Sequence, residues 1–170
     1  MSNIYLVGFM GVGKSTIGKK LASKLGRDFI DTDDVFEEKY RLSINTFFNK
    51  YGENLFRKLE HDVLKSTFGL SNCIISTGGG MPCYIDTMKL INENGVSVYL
   101  CMSEGAILSR LLNSKQKRPL VMNKSKDELV NFVHCKLSER TSYYSQAMIT
   151  VSALSTNIDS LIGEIRMFTQ

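Results

Sequence analysis

The stretch that decides the fold is Ile4-Tyr5-Leu6-Val7-Gly8-Phe9-Met10-Gly11-Val12-Gly13-Lys14-Ser15-Thr16. A short apolar run passes through glycines into residues 14–25, where Ile17, Leu21 and Leu25 recur at helical spacing. Gly8 to Ser15 matches G-x-x-x-x-G-K-[ST], placed between a predicted strand and a predicted helix as that phosphate loop requires. Each element has a chemical reason. Glycines let the backbone wrap closely, so that the N–H groups from Gly11 to Thr16 converge on phosphate oxygens. The helix that follows adds its positive N-terminal end. Lys14 places a cation on the β- and γ-phosphates, and the Ser15 hydroxyl is a ligand for Mg²⁺. The expectation is a nucleoside triphosphate held with magnesium.

Outward from this loop the chain alternates. Phe29-Ile30 reads as a second strand, Cys73 to Ile75 as a third closed by Gly78-Gly79-Gly80, Val96 to Cys101 as a fourth and Met148 to Val151 as a fifth. Residues 35–70 are mostly helical, with breaks near Leu42-Ser43 and Tyr51-Gly52, and a last helix begins near Ile158. Strands alternating with helices predict an α/β fold, a parallel sheet covered on both faces, with ligands beyond the carboxyl ends of the strands.

At 170 residues, with 43% hydrophobic and 22% charged residues, two prolines and no low-complexity run, the chain suits a single domain, 1–170. The opening residues carry no basic leader, and the run Ile4 to Val7 is too short for a membrane span, so the expected location is the cytoplasm with no membrane partner. Four scattered cysteines and two histidines form no zinc pattern. A net charge of +4 from dispersed Lys and Arg argues against nucleic acid and suits a small anionic substrate.

The third strand lacks the acidic end of a motor-type ATPase, since Ser76 and Thr77 follow Ile75. Asn123-Lys124-Ser125-Lys126-Asp127 has one residue too many for guanine recognition; Ser125 with Glu128 reads instead as a capping box opening a helix that runs toward Tyr143. The acid is expected from Asp31-Thr32-Asp33-Asp34 after the second strand. Residues two apart in extended chain face one way, so Asp31 and Asp33 are expected to point together, Asp31 toward Mg²⁺ and Asp33 toward an acceptor proton. Adjacency of the second strand to the first is part of that expectation. Asp34 is read as favouring the next helix N-terminus.

The ordered set of the phosphate loop, Phe29-Ile30-Asp31-Thr32-Asp33, Gly52-Glu53 with Phe56-Arg57, Ser76-Thr77-Gly78-Gly79-Gly80, Arg118-Pro119-Leu120, and Glu139-Arg140 with Tyr144 strongly resembles shikimate kinase across residues 8–144. The resemblance implies a P-loop fold like that of nucleoside monophosphate kinases: a three-layer sandwich with a five-stranded parallel sheet, a helical substrate-binding region at about 33–61 and a lid at about 113–124. It implies transfer of the ATP γ-phosphate to the 3-hydroxyl of shikimate in aromatic amino acid biosynthesis, with ATP and shikimate as partners of a monomer and Mg²⁺ as cofactor. Asp33 is then the candidate base, Arg57 and Arg140 grip the acceptor carboxylate, Gly79 and Gly80 approach it through backbone, and Arg118 on the lid reaches the transferred phosphate. Planar guanidinium forks are the natural grip for a carboxylate, and Glu60, three residues after Arg57, is placed to hold it. Phe48 and Phe56 are candidates for a pocket wall or for plain core packing.

Two segments depart from the family pattern. Where the family often has Arg-x-Pro-Leu-Tyr, this chain has Arg140-Thr141-Ser142-Tyr143-Tyr144, read as a loop of altered stiffness. After the fifth strand the usual Asp-Thr is replaced by Ser152-Ala153, which leaves Arg110 and residues 152–156 as the candidates for adenine contact. Competing readings are a P-loop kinase for gluconate or a nucleoside monophosphate, and a nucleotide-sensing module.

Overall fold

The structure is a computed structural model that describes residues 2–114, 121 and 124–169. Five strands run β1 (Asn3–Val7), β2 (Asp28–Asp31), β3 (Cys73–Ser76), β4 (Gly95–Cys101) and β5 (Ile149–Ser152). All pair in parallel, in the order β2-β3-β1-β4-β5. Every residue of β1 is buried, which explains its unbroken apolar run: a central parallel strand has helices on both faces. Each predicted strand is present, with ends shifted by a residue or two.

The expected adjacency of β1 and β2 does not hold. β3 lies between them, with Ile4 opposite Ile74 and Asp31 opposite Ser76. The carboxyl ends still converge, because the parallel register brings Leu6, Ser76 and Asp31 to one edge of the sheet.

Helix α1 (Lys14–Leu25) starts at Gly13, whose φ of 96° demands glycine. No side chain caps α1 and no acid stands in its first turn, so its N-terminal N–H groups are left for an anion. By contrast α2 (Thr32–Tyr40) is capped by Asp31, whose carboxylate accepts from the Asp33 N–H. Helix α3 (Ile44–Ser66) is broken at Gly52, where φ is 80° and ψ 170°, close to the predicted interruption. Phe36, Phe47, Phe56 and Val63 form a small core of their own between α2 and α3, apart from the sheet's core.

A 3₁₀ turn (Met81–Cys83) leads to α4 (Thr87–Asn94); α5 (Glu104–Leu112), α6 (Lys126–Tyr144) and α7 (Ile158–Arg166) complete the chain. The capping box of Ser125 and Glu128 opens α6 as expected. The helix runs to Tyr144, as expected of the segment toward Tyr143, so residues 140–144, whose departure from the family pattern reads as a change in loop stiffness, lie in the end of α6. Serine at 142 keeps the backbone N–H that proline lacks, so nothing interrupts the helix there.

Candidate active site

A cavity of about 550 Å³ lies over the phosphate loop, lined by Gly11, Gly13, Lys14, Ser15, Thr16, Lys19, three acids (Asp31, Asp33, Asp34), Ser76, Thr77, Gly79, Arg110, Leu111 and Ser114. Lys14 is buried, and its Nζ donates to the carbonyls of Gly8 and Phe9 at 2.9 Å each. Those bonds hold the ammonium inside the loop where a phosphate oxygen would meet it. Val12 is buried and presents its carbonyl to the Arg110 guanidinium at 2.9 Å; Gly11 does so at 3.2 Å. Arg110 therefore folds over the loop itself. Residues 152–156 line neither this cavity nor the second one below.

The Ser15 hydroxyl donates to Asp31 Oδ2 at 2.6 Å, so the loop hydroxyl and the β2 carboxylate already meet. Asp31 and Asp33 do line one cavity, although not for the reason given by extended chain. Helix α2 begins at Thr32, and Asp33 sits in its first turn with its N–H on Asp31 Oδ1 at 3.1 Å. Capping turns both acids to the same side. Asp34 also lines the cavity; burial first, then the Asp31 charge, holds its carboxyl above the usual range.

A second cavity of about 440 Å³ is lined by Glu53, Arg57, Gly80, Cys83, Tyr84, Lys136, Glu139, Arg140 and Tyr143. Arg57 is fixed on three sides. Its Nη1 donates to Glu60 Oε2 at 2.7 Å, its Nε and Nη2 reach Glu53 Oε1 at 3.2 Å, and its guanidinium lies 5.2 Å from the Phe56 ring centre. Phe48 and Phe56 thus belong to the α2–α3 core and back Arg57, and neither lines the cavity. Burial pushes the Glu60 carboxyl up to about 7 against the pull of Arg57. Glu60 and Glu53 in turn outweigh the burial of Arg57 and raise its guanidinium above the usual value.

Arg140 is 7% exposed and stacks on the Phe9 ring at 5.6 Å. Its Nη1 is buried without a hydrogen-bond partner among the described residues. An unsatisfied buried guanidinium N–H is costly, and here it borders a cavity. The chemistry that repairs it is an anionic oxygen.

The glycine turn forms the wall between the cavities. Gly79 lines the first and Gly80 the second. A methyl on Gly80 would stand 2.5 Å from Arg57 Nη2, and one on Gly78 would meet Glu60 and come within 3.0 Å of Asp33 Oδ1. Glycine is required here for room. Arg118 and most of the expected lid lie outside the described residues.

Several lining residues were not singled out from sequence. Lys136, Glu139 and Tyr143, none given a role there, stand with Arg140 at i, i+3, i+7 and i+4, a helical face that follows once Arg140 is placed in the site. Cys83 and Tyr84 gave no signal, since only the 3₁₀ turn brings them there. Burial pushes the Cys83 thiol up to about 11.

Comparison with known proteins agrees with this geometry. The family model described as shikimate kinase matches residues 10–168. The shikimate kinase of Azobacteroides pseudotrichonymphae is 40% identical over 97% of this chain and 98% of its own length. The crystal structure of shikimate kinase from Bacteroides thetaiotaomicron superposes with a TM-score of 0.89 at 36% identity, covering 99% of this chain and 98% of that one. Shikimate kinase from Acinetobacter baumannii, solved in complex with shikimate, gives 0.83 at 32% identity, covering 99% and 93%. A deoxyadenosine kinase from M. mycoides, 19% identical with a TM-score of 0.58, shares the fold.

Proposed function

The chain belongs to the shikimate kinase family, and from that premise we propose how its two cavities divide the transfer of the ATP γ-phosphate to the 3-hydroxyl of shikimate, giving 3-phosphoshikimate and ADP on the route to aromatic amino acids. The first cavity takes ATP, with its phosphates on the N–H groups of residues 11–16 and on Lys14. The second takes shikimate, its carboxylate on Arg57 and Arg140. The observation that carries this division is that Arg140, whose buried Nη1 has no hydrogen-bond partner among the described residues, lines one cavity while Lys14, Ser15 and Asp33 line the other, with Gly79 on the first and Gly80 on the second.

The residues present fit a magnesium ion. Ser15 Oγ and Asp31 Oδ2, at 2.6 Å, are hard oxygen donors, and Mg²⁺ keeps several waters and takes few protein ligands. When bound it would neutralise charge on the β- and γ-phosphate oxygens. Asp33 orients the acceptor hydroxyl and accepts its proton as the acceptor oxygen bonds to the γ-phosphorus. The bond to the β–γ bridging oxygen breaks, and ADP leaves with its electron pair. Arg118, from the lid, joins the transferred phosphate. The helical region at 33–61 supplies the acceptor side, and the protein works as a cytoplasmic monomer on these two small molecules. No helix among the described residues is long and apolar enough to cross a membrane.

ADP release measured with shikimate, quinate, gluconate, nucleoside monophosphates or no acceptor, across a magnesium titration, tests this reading. Release that requires shikimate and magnesium supports it. Equal release without any acceptor points to a nucleotide sensor, and release with gluconate or a nucleoside monophosphate points to another small-molecule kinase.

A further inference from the structure

Helix α6 makes two contacts one turn apart, the first with the phosphate loop and the second with the glycine turn beside it. Arg140 stacks on Phe9. Four residues later, on the same helical face, the Tyr144 hydroxyl donates to the Gly79 carbonyl. Gly79 in turn lies against the phosphate loop: an added methyl there would stand 3.2 Å from the Met10 nitrogen and 3.5 Å from the Gly8 oxygen. Tyr144 is 0% exposed, and its ring packs on Tyr99 with centres 5.2 Å apart. Tyr99 is in register with Val7, the last residue of β1 before the loop. The phenol is thus held between the strand that launches the loop and the glycine turn that walls it.

We infer that Tyr144 is a positioning residue for phosphoryl transfer: its hydroxyl pins the Gly79 backbone, and so sets the distance between the acceptor held by Arg140 and the phosphates held by the loop. The inference rests on the assignment of the two cavities to acceptor and nucleotide. Its physical basis is that one rigid helix carries both the acceptor's anchor and the clamp on the wall. In-line transfer is sensitive to misplacement on the scale of an ångström. Burial raises the phenol's pKa, which keeps it a neutral donor through the working range. Without the hydroxyl the Gly79 carbonyl loses a buried partner and the wall loses its fixed position.

Tyr144→Phe removes the hydroxyl and keeps the ring. The expected result is a folded enzyme with turnover lowered about tenfold, from about one lost hydrogen-bond increment in the transition state. KM for ATP should stay unchanged, since no loop donor is touched. The ratio of ADP released to shikimate phosphorylated should rise above one, because bound ATP faces a misplaced acceptor and admits water. A purely structural role would lower the melting temperature while leaving that ratio at one. Tyr99→Phe, which trims the neighbouring phenol, should keep both turnover and ratio.

Gly79→Ala shifts the same wall from the opposite side with Tyr144 intact, and should reproduce the raised ratio even where Tyr144→Phe folds poorly. Wild-type turnover and ratio in Tyr144→Phe, or normal coupling in Gly79→Ala, would overturn the inference. Loss of shikimate dependence in the unmodified enzyme would instead overturn the cavity assignment beneath it.

Discussion

The two cavities sit a few residues apart in space yet are built in opposite ways. In the cavity proposed for the nucleotide the phosphate-facing part is local: the 11–16 stretch and its helix supply the backbone donors, the lysine and the hydroxyl in one run of chain, and the acids and Arg110 come from other elements. The cavity proposed for the acceptor takes Arg57 from α3, Gly80 and Cys83 from the turn after β3, and Arg140 from α6. A site made of backbone N–H groups recognises any triphosphate tail, because phosphate geometry is common to all of them. A site made of side chains on three elements recognises one shape. The difference explains how one loop pattern serves many kinases while the acceptor varies.

That contrast can be broken most sharply at two acids of the first cavity, Asp31 and Asp33. Asp33→Asn keeps the shape but loses the charge, so turnover should fall by roughly 10²- to 10⁴-fold, the range of a general base. ATP affinity and its magnesium midpoint should hold steady, whereas Asp31→Asn should move the midpoint upward. A magnesium titration of both variants at saturating shikimate decides it; the opposite pattern reverses the two roles.

Lys14→Ala tests the local site alone. Turnover should drop by about 10²-fold or more, since the cation on the transferring phosphate is gone. Shikimate binding without nucleotide, measured by calorimetry, should barely change. Near wild-type turnover would place the nucleotide elsewhere.

The arginines sharpen the comparison on the other side. Arg57→Ala and Arg140→Ala should each weaken shikimate binding by about 2 kcal/mol, roughly thirtyfold, and leave ATP binding alone. Their stabilities should part company. Removing Arg57 strips buried Glu60 of its partner and should lower the melting temperature. Removing Arg140 also removes an unsatisfied buried N–H, so thermal stability should change less. Equal loss of both ligands would mean that these arginines serve the fold.

The smallest effect is a pH slope. Glu60 sits at about 7 in the folded protein against 4.5 ordinarily, so between those values the folded state holds a proton that the unfolded chain has released. Stability contributed by this group is complete below about pH 4.5 and declines as pH rises toward 7, by at most about 1.4 kcal/mol per unit. Urea unfolding at pH 5, 6 and 7 should show a flatter dependence for Glu60→Gln. An unchanged slope would show that Arg57 keeps the carboxylate ionised throughout.

Legibility followed the same division. The loop, its strand and its helix could be read because their signals are local: an apolar run, glycines at fixed spacing, then a 3.6-residue period. The acids after β2 were found for a partly mistaken reason, since α2 starts at Thr32 and capping aims Asp33. The helix toward Tyr143 is legible from its capping box, and Ser142 in place of the family's proline lets α6 continue through residues 140–144.

Chain order alone carries the residue set: a phosphate loop, two acids behind it, two arginines and a glycine turn in an order that identifies the family. Where these residues meet depends on how the chain packs in three dimensions. That packing placed β3 between β1 and β2, set Gly79 on one cavity and Gly80 on the other, and left the buried Arg140 Nη1 without a partner among the described residues. Spacing along a chain fixes what a helix or loop can present. Strand order and helix packing are long-range choices set by burial of the whole core, and no local pattern records them.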